Sequence, residues 1–309
     1  MACAALTRYD VTPLRVRLAA RSFNSVFRVT TATAAYALRV GSQLRIHPPG
    51  TEAVEAAWHR RLRERGVHVP GVRANSNGEP TTEVTDVSGP RVCILFDWVA
   101  GRSLRTCLSQ RRSAALGRLS ARLHADAVVW SPPGAGDVLT ADRVLYWLVP
   151  DRLAEAGTRF GYGTLFTDAA VRAQSVLDTL WRDPPHPPHL VHGDLTPANV
   201  IAAPHVGLVP IDFQDTVLGL EVQDLSITVA ALRRLPGGGH LAEAFRFGYV
   251  SAGRAWPDVS SDMFESLVIA RWLHQLNLTL NVADAGGLDS YVAGHAERAR
   301  AWLRCPSGG

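Results

Sequence analysis

The chain has 309 residues, 47% of them hydrophobic and 19% charged, which is the balance of a folded globular protein rather than a disordered one. All 32 basic residues are arginine; the lack of lysine excludes a Walker P-loop, which sets an ammonium on phosphate, and Schiff-base chemistry, which needs a titratable amine. A net charge of only +4, evenly spread, argues against nucleic acid as a partner, and no apolar run approaches the roughly 20 residues that cross a bilayer.

The first ten residues, MACAALTRYD, lack the basic start and apolar stretch of a secretory signal. Four scattered cysteines, Cys3, Cys93, Cys107 and Cys305, fit a reduced cytoplasmic protein with no membrane partner. Residues 26–30 and 36–40 are short β-favouring runs joined by a Thr/Ala loop, which predicts a hairpin. Pro48, Pro49 and Gly50 break the chain, and Thr51 is a suitable N-cap for a helix whose Val54, Trp58 and Leu62 share one face. Gly66 and Pro70 close that helix, and residues 92–96 form an apolar run short enough for a buried strand. From about residue 101 the pattern turns helical. Ser113 is a candidate cap for a helix with Leu116, Leu119 and Leu123 along one side, and Thr167 and Asp168 begin another with Ala173, Val176, Leu177 and Leu180 inward. A stripe of Ile269, Trp272, Leu273, Leu276 and Leu280 predicts a late core helix, and residues 306–309 read as a frayed tail.

The chemistry is concentrated in LVHGDLTPANVIAAPHVGLVPIDFQD, residues 190–215. Gly193 permits a tight turn that projects Asp194 from a loop, and Pro197 stiffens the stretch leading to Asn199. A hairpin over residues 206–211 would return Asp212 to the same point. Two carboxylates and an amide make a hard-cation site of the kind magnesium uses, with substrate phosphates and water completing its shell. The remaining carboxylate can accept a proton from an attacking hydroxyl, and together these are the parts that phosphoryl transfer needs.

HGDLTPAN followed by IDFQD resembles the signature of the aminoglycoside phosphotransferase and choline kinase-like family, and the resemblance spans nearly the whole chain. It implies an α+β, bilobal, protein-kinase-like fold, with a small β-rich nucleotide-binding lobe over residues 1–97. A larger, mainly helical lobe over residues 98–309 would hold the catalytic loop and the acceptor site. Carried over by position, Asp194 is the catalytic base, and Asn199 and Asp212 are the magnesium ligands. Asp224 matches a further, structural aspartate, and Leu123-His124 a structural helix end. Asn24 and Ser25 fall in a stretch, FNSVF, that is similar to the nucleotide loop. Arg39 stands where the family carries its phosphate-binding cation, and Glu55 matches the helix glutamate that pairs with it; arginine stays charged and offers two donors. ILFDWVAG resembles the hinge, so backbone groups of Asp97 and Val99 would meet the adenine edge. Trp58, the hinge wording and ARWLHQLN are most similar to the homoserine kinase-like and stress-response kinase-like branch.

The resemblance thus implies ATP as donor, with GTP also compatible with a backbone hinge, and a small hydroxylated molecule as acceptor, in a monomer or homodimer. A polycationic aminoglycoside would require several carboxylates at the acceptor site. Residues 236–309 hold seven acids, among them Asp284, against six arginines. Asp215, Glu221, Asp262 and Glu265 are nonetheless candidates for a local acidic cluster, and Arg271, His274 and Asn277 could reach substrate from the polar side of the late helix. A natural-product antibiotic inactivated by O-phosphorylation is the favoured acceptor. The alternatives are a homoserine- or choline-like metabolite kinase, a protein Ser/Thr kinase, and an inactive nucleotide-binding relative. His186, His189 and His192 suggest a surface loop rather than zinc, with His192 bracing the loop. Gly161 and Gly163 mark a turn, and the arginines of residues 60–65 and 111–112 a solvated helix face.

Overall fold

Strand-forming sequence at the start of the chain and helical periodicity later in it sort into two units in the computed structural model, which describes residues 1–87, 89–184, 186–283 and 288–305. The predicted tail and Asp284 lie outside the described residues. The first unit comprises Met1–Leu108, Ser131–Val138 and Pro197–Gln214; the second comprises Ser109–Trp130, Leu139–Thr196 and Asp215–Gly309. No helix among the described residues is long and apolar enough to cross a membrane.

In the first unit a helical turn, α1 (Ala2–Leu6), precedes the antiparallel strands β1 (Arg15–Arg21), β2 (Ser25–Thr30) and β3 (Ala35–Val40). Helix α2 (Thr51–Glu64) follows, then β4 (Val72–Arg73), β5 (Thr82–Asp86) and β6 (Gly89–Asp97). The sheet order is β1-β2-β3-β6-β4, with β5 also on β6. The predicted hairpin forms, with Val26 opposite Arg39 and Phe27 opposite Leu38. Strand alternation sends Leu38 and Val40 into a core with Val29, Cys93 and Leu95, and turns Arg39 to the other face. On α2, Val54, Trp58 and Leu62 are buried as their spacing requires. Thr51 is the first helical residue rather than the cap. Gly50, at φ 100°, takes the cap position, and the Thr51 hydroxyl instead donates to the carbonyls of Pro48 at 3.0 Å and Asp137 at 2.9 Å. A second, three-stranded sheet in this unit joins β7 (Arg102–Ser103), β9 (Val200–Ala203) and β10 (Gly207–Pro210) in the order β10-β9-β7.

The second unit is helical, with a two-stranded sheet of β8 (His189–Val191) and β11 (Val217–Gly219). Its helices are α3 (Gln110–Val128), α4 (Leu153–Arg159), α5 (Leu165–Arg182), α6 (Glu221–Arg233), α7 (Gly238–Ser251), α8 (Ser261–Val282) and α9 (Leu288–Arg304). Leu116, Leu119 and Leu123 are buried on α3, but the cap is Ser109, whose hydroxyl accepts from the Arg112 amide. Ser113 lies one turn inside the helix and donates to the Leu241 carbonyl at 2.6 Å, because α7 packs against that face. Helix α5 begins at Leu165, before Thr167; Ala173 and Leu177 are buried in it, and Val176 and Leu180 half-buried. On α8, Ile269, Leu273, Leu276 and Leu280 are buried as expected, Trp272 of the same stripe is only half-buried, and Arg271, His274 and Asn277 of the polar stripe are buried too.

Candidate active site

In the first unit, α2 builds the site from one helical face. Glu55 is 1% exposed and holds Arg39 in both arms: Nη1 donates to Oε1 at 2.8 Å and Nη2 to Oε2 at 2.5 Å. Burial weakens the proton affinity of the Arg39 guanidinium, but the charges of Glu55 and Asp212 outweigh it, so the group is held above its ordinary value and stays charged. One turn further along the same face, the rings of Trp58 and His59 pack on Phe213 with centroids 5.1 and 4.5 Å apart. Phe213 is fully buried and anchors its neighbour Asp212, whose backbone sits in the left-handed region at φ 61°. Such a conformation in a residue other than glycine is uncommon and marks functional turns. Asp212 Oδ1 lies 3.7 Å from Arg39 Nη1, with the side chain 49% exposed.

The β9–β10 hairpin explains how residues thirteen apart in sequence meet. Asn199 immediately precedes β9 and Asp212 lies two residues beyond β10; the Ile211 amide donates to the Asn199 carbonyl at 2.9 Å, continuing the pairing of Pro210 with Val200. An amide oxygen and a half-exposed carboxylate are hard oxygen donors, too few to enclose an ion and sufficient for one that keeps water and phosphate ligands. This donor set fits a divalent cation of the magnesium or calcium type. Asn24 lies in the turn between β1 and β2, and Ser25 is the first residue of β2. The Asn24 side chain accepts from the Ser42 amide at 3.1 Å and donates to Gln214, tying the loop to the segment that carries Asp212. Asn24, Arg39, Glu55 and Gln214 line a cavity of about 50 Å³. At the end of β6, in the stretch expected to be the hinge, the Asp97 amide donates to the Gly71 carbonyl at 2.8 Å and its carboxylate pairs with Arg73 at 2.7 Å. Any part Asp97 takes in base recognition therefore falls to its carbonyl, next to the backbone of Val99.

In the second unit, α6 holds the loop that carries Asp194. Gly193 has φ 74°, and a Cβ there would lie 2.1 Å from the Asp215 carbonyl oxygen, so glycine is required. The Gly193 amide donates to Asp224 Oδ1 at 2.9 Å, and one turn on the Thr228 hydroxyl donates to the Leu195 carbonyl at 2.7 Å. Asp224 is buried, with His124 Nε2 at 3.1 Å from Oδ2. Burial alone would raise its carboxyl, but the hydrogen bond and charge of His124 outweigh it and hold the group below the usual carboxylate value. His192 Nδ1 accepts from the Asp194 amide at 3.3 Å, the bracing role its position suggested. The histidine stretch is a surface loop only at His186; His189 and His192 are buried because the chain enters β8 there.

The Asp194 carboxylate meets Arg271 from α8, whose Nη2 lies 3.3 Å from Asp194 Oδ1 and 3.0 Å from Asp215 Oδ2. Arg271 Nη1 donates to the Tyr146 hydroxyl at 3.3 Å, and the guanidinium stands 5.1 Å from the centre of the Trp147 ring. Burial disfavours charge on Arg271, but Tyr146, Asp194 and Asp215 more than compensate. Burial also pushes the Tyr146 phenol up to about 12. His274, one turn along α8, stacks on Tyr146 and Trp147 with centroids 3.9 Å from each. Tyr146 and Trp147 went unremarked in the sequence; an aromatic pair in an irregular stretch carries no period that would mark it.

The four candidate acids do not gather. Asp215 joins Arg271, whereas Glu221 accepts from the Tyr249 hydroxyl at 2.9 Å and pairs with Arg254, and Glu265 pairs with Arg233. Asp262 sits in the first turn of α8. Asp215, Glu221 and Glu265 are thus each paired with a different arginine. Asn277 is occupied structurally, accepting from the Arg152 amide at 2.7 Å and donating to the Pro150 carbonyl at 3.0 Å.

A cation held by a helix glutamate beside a carboxylate, with an aspartate-bearing loop braced by a buried aspartate, defines a phosphotransferase of the protein-kinase-like class. The chain belongs to the phosphotransferase enzyme family, whose profile matches residues 16–259. It is a phosphotransferase of small-molecule hydroxyl groups. Among solved structures it is similar to a microcompartment-associated aminopropanol kinase, at 26% identity over 96% of this chain and 94% of the other, with a TM-score of 0.76. An amicoumacin kinase in complex with AMP-PNP and Ca2+ shares the fold at 17% identity, covering 97% and 91%, with a TM-score of 0.76. A spectinomycin phosphotransferase in complex with ADP and its antibiotic does so at 13% identity, covering 98% and 97%, with a TM-score of 0.62. No curated protein sequence matches the chain.

Proposed function

We propose that the enzyme transfers the γ-phosphoryl group of ATP to a hydroxyl of a small natural product, with antibiotics the first class to test, and that magnesium assists. The observation that carries this reading is the buried Arg39–Glu55 pair set 3.7 Å from Asp212, a phosphate-binding cation fixed next to a metal-binding carboxylate. Arg39 steadies the α- and β-phosphates. Asn199 and Asp212 would hold the divalent ion, which when bound offsets charge on the β- and γ-phosphates. Asp194 orients the acceptor hydroxyl and takes its proton as the oxygen bonds to the γ-phosphorus; the bond from that phosphorus to the β–γ bridging oxygen breaks, and ADP leaves with the electron pair. The amicoumacin and spectinomycin enzymes support an antibiotic acceptor. The aminopropanol kinase, at the higher identity, supports a second reading, a metabolite kinase.

The test is a panel of antibiotics and polar metabolites incubated with ATP or GTP and Mg2+, read by mass gain of one phosphate. Asp194→Asn and Asp212→Asn are expected to lower turnover by roughly a hundred- to ten-thousand-fold with melting temperatures kept. Wild-type turnover in either variant removes the assignment.

A further inference from the structure

Two carboxylates that share one side of a site attract a cation, and in the second unit that cation is built in. Arg271 is 8% exposed and satisfies Asp194 and Asp215 through one nitrogen. Its other terminal nitrogen is spent on Tyr146. Its Nε is buried with no hydrogen-bond partner among the described residues, and a buried donor left unmade is costly. Arg271, Tyr146, Gly193 and His274 form part of the lining of a cavity of about 40 Å³ whose wall is otherwise mainly aliphatic. Further positive charge stands nearby. Arg234 and Arg298 flank the Trp272 ring at 5.9 and 4.6 Å, and neither has an ion pair among the described residues. Burial and the charge of Arg298 lower the proton affinity of Arg234, and the charge of Asp194 only partly restores it.

We propose that Arg271 determines acceptor specificity: its guanidinium occupies the place on Asp194 and Asp215 where an acceptor's ammonium would dock, and its Nε–H donates to an acceptor oxygen. The enzyme therefore takes acceptors that are neutral or anionic beside the reacting hydroxyl and discriminates against amino alcohols. This rests on the reading of Asp194 as the base. An arginine is suited to the role because its planar fork serves two carboxylates and stays charged when buried.

Three probes of similar size differ only in the group beside the hydroxyl: 1-amino-2-propanol, propane-1,2-diol and lactate. ADP release from MgATP is measured for wild type and Arg271→Gln, together with the melting temperature of each protein against rising 1-amino-2-propanol without nucleotide. Wild type is expected to use the diol or lactate at least tenfold better than the amino alcohol and to gain no stability from the amine. Arg271→Gln is expected to reverse that order and to be stabilised by the amine, since an unneutralised pair of carboxylates now faces the ligand. A purely structural arginine would lower all three rates in proportion and give no amine-dependent shift, which overturns the proposal. A wild type that prefers the amino alcohol, or is stabilised by it, also overturns it, and this outcome is readable even if the variant does not fold. Absence of phosphate transfer from ATP to any acceptor, water included, defeats the kinase reading instead, while the amine-dependent melting shift still decides this one.

Discussion

Arg39 and Glu55 form a closed pair: both are buried, and each satisfies the other through two hydrogen bonds. Removing one partner of such a pair leaves an uncompensated charge, which costs about 3–5 kcal/mol. Glu55→Ala is therefore expected to lower unfolding free energy by about that amount in urea, with an unchanged m-value, and to abolish the melting shift produced by ATP. A loss below about 1 kcal/mol would mean that water reaches the pair. These two residues were legible in the sequence only through the family resemblance, whereas a glycine turn singled out Asp194 and a hairpin singled out Asn199 and Asp212. Arg271 was legible only as a polar residue on an apolar helix. Its partner Asp194 lies 77 residues away, and a contact of that span leaves no local period. The acidic cluster was misjudged for the same reason, since composition counts charges but not the distant arginines, such as Arg271, Arg254 and Arg233, that pair with Asp215, Glu221 and Glu265.

At the scale of elements, the α3–α7 crossing depends on two glycines that periodicity does not flag. A Cβ on Gly117 of α3 would come 2.0 Å from the Phe245 carbonyl oxygen, and one on Gly248 of α7 would come 1.9 Å from that of Ala114. The two backbones touch where each lacks a side chain. In an open helix, glycine to alanine gains about 0.5–1 kcal/mol through backbone entropy. Here the sign is expected to reverse: Gly117→Ala and Gly248→Ala should each cost about 1–3 kcal/mol, the usual price of overpacking. Gly294, inside α9 with nothing within 4 Å of its virtual Cβ, is the control, and Gly294→Ala should stabilise. Denaturation midpoints of the three variants check this; a stabilised Gly117→Ala or Gly248→Ala would show that the crossing relaxes freely. The hairpin, the α2 face and the α8 stripe were all readable from periods of two or 3.6. The helix starts at Gly50, Ser109 and Thr164 were not, because several residues in each stretch can cap and tertiary contacts choose among them.

At the scale of the whole molecule, folding holds two histidines, His189 and His295, toward their neutral form, which makes stability fall in acid. His189 on β8 donates from Nδ1 to the Pro187 carbonyl at 3.1 Å, faces His124, His186, Arg254 and the Glu221 carboxylate, and is pushed down to about 4, first by burial. His295 on α9 is lowered as well, again by burial first and then by Arg298 and Arg234. An unfolded histidine titrates near 6.5, so between that value and about 4 the unfolded chain binds more protons than the folded one. Stability is therefore complete above pH 6.5, declines as pH drops through the window, and loses up to roughly 3 kcal/mol for His189 alone by about pH 4. Asp224 acts in a lower range. Its carboxyl is held below 3.8 by His124 and the Gly193 amide against the effect of burial, so its contribution is present above that value and goes only as pH falls through the lower folded one. Urea titrations at pH 7.0, 5.5 and 4.5 should show the decline in wild type, a shallower one in His189→Gln, and little in His189→Gln combined with His295→Gln. An equal slope in all three proteins would place the acid sensitivity elsewhere in the molecule.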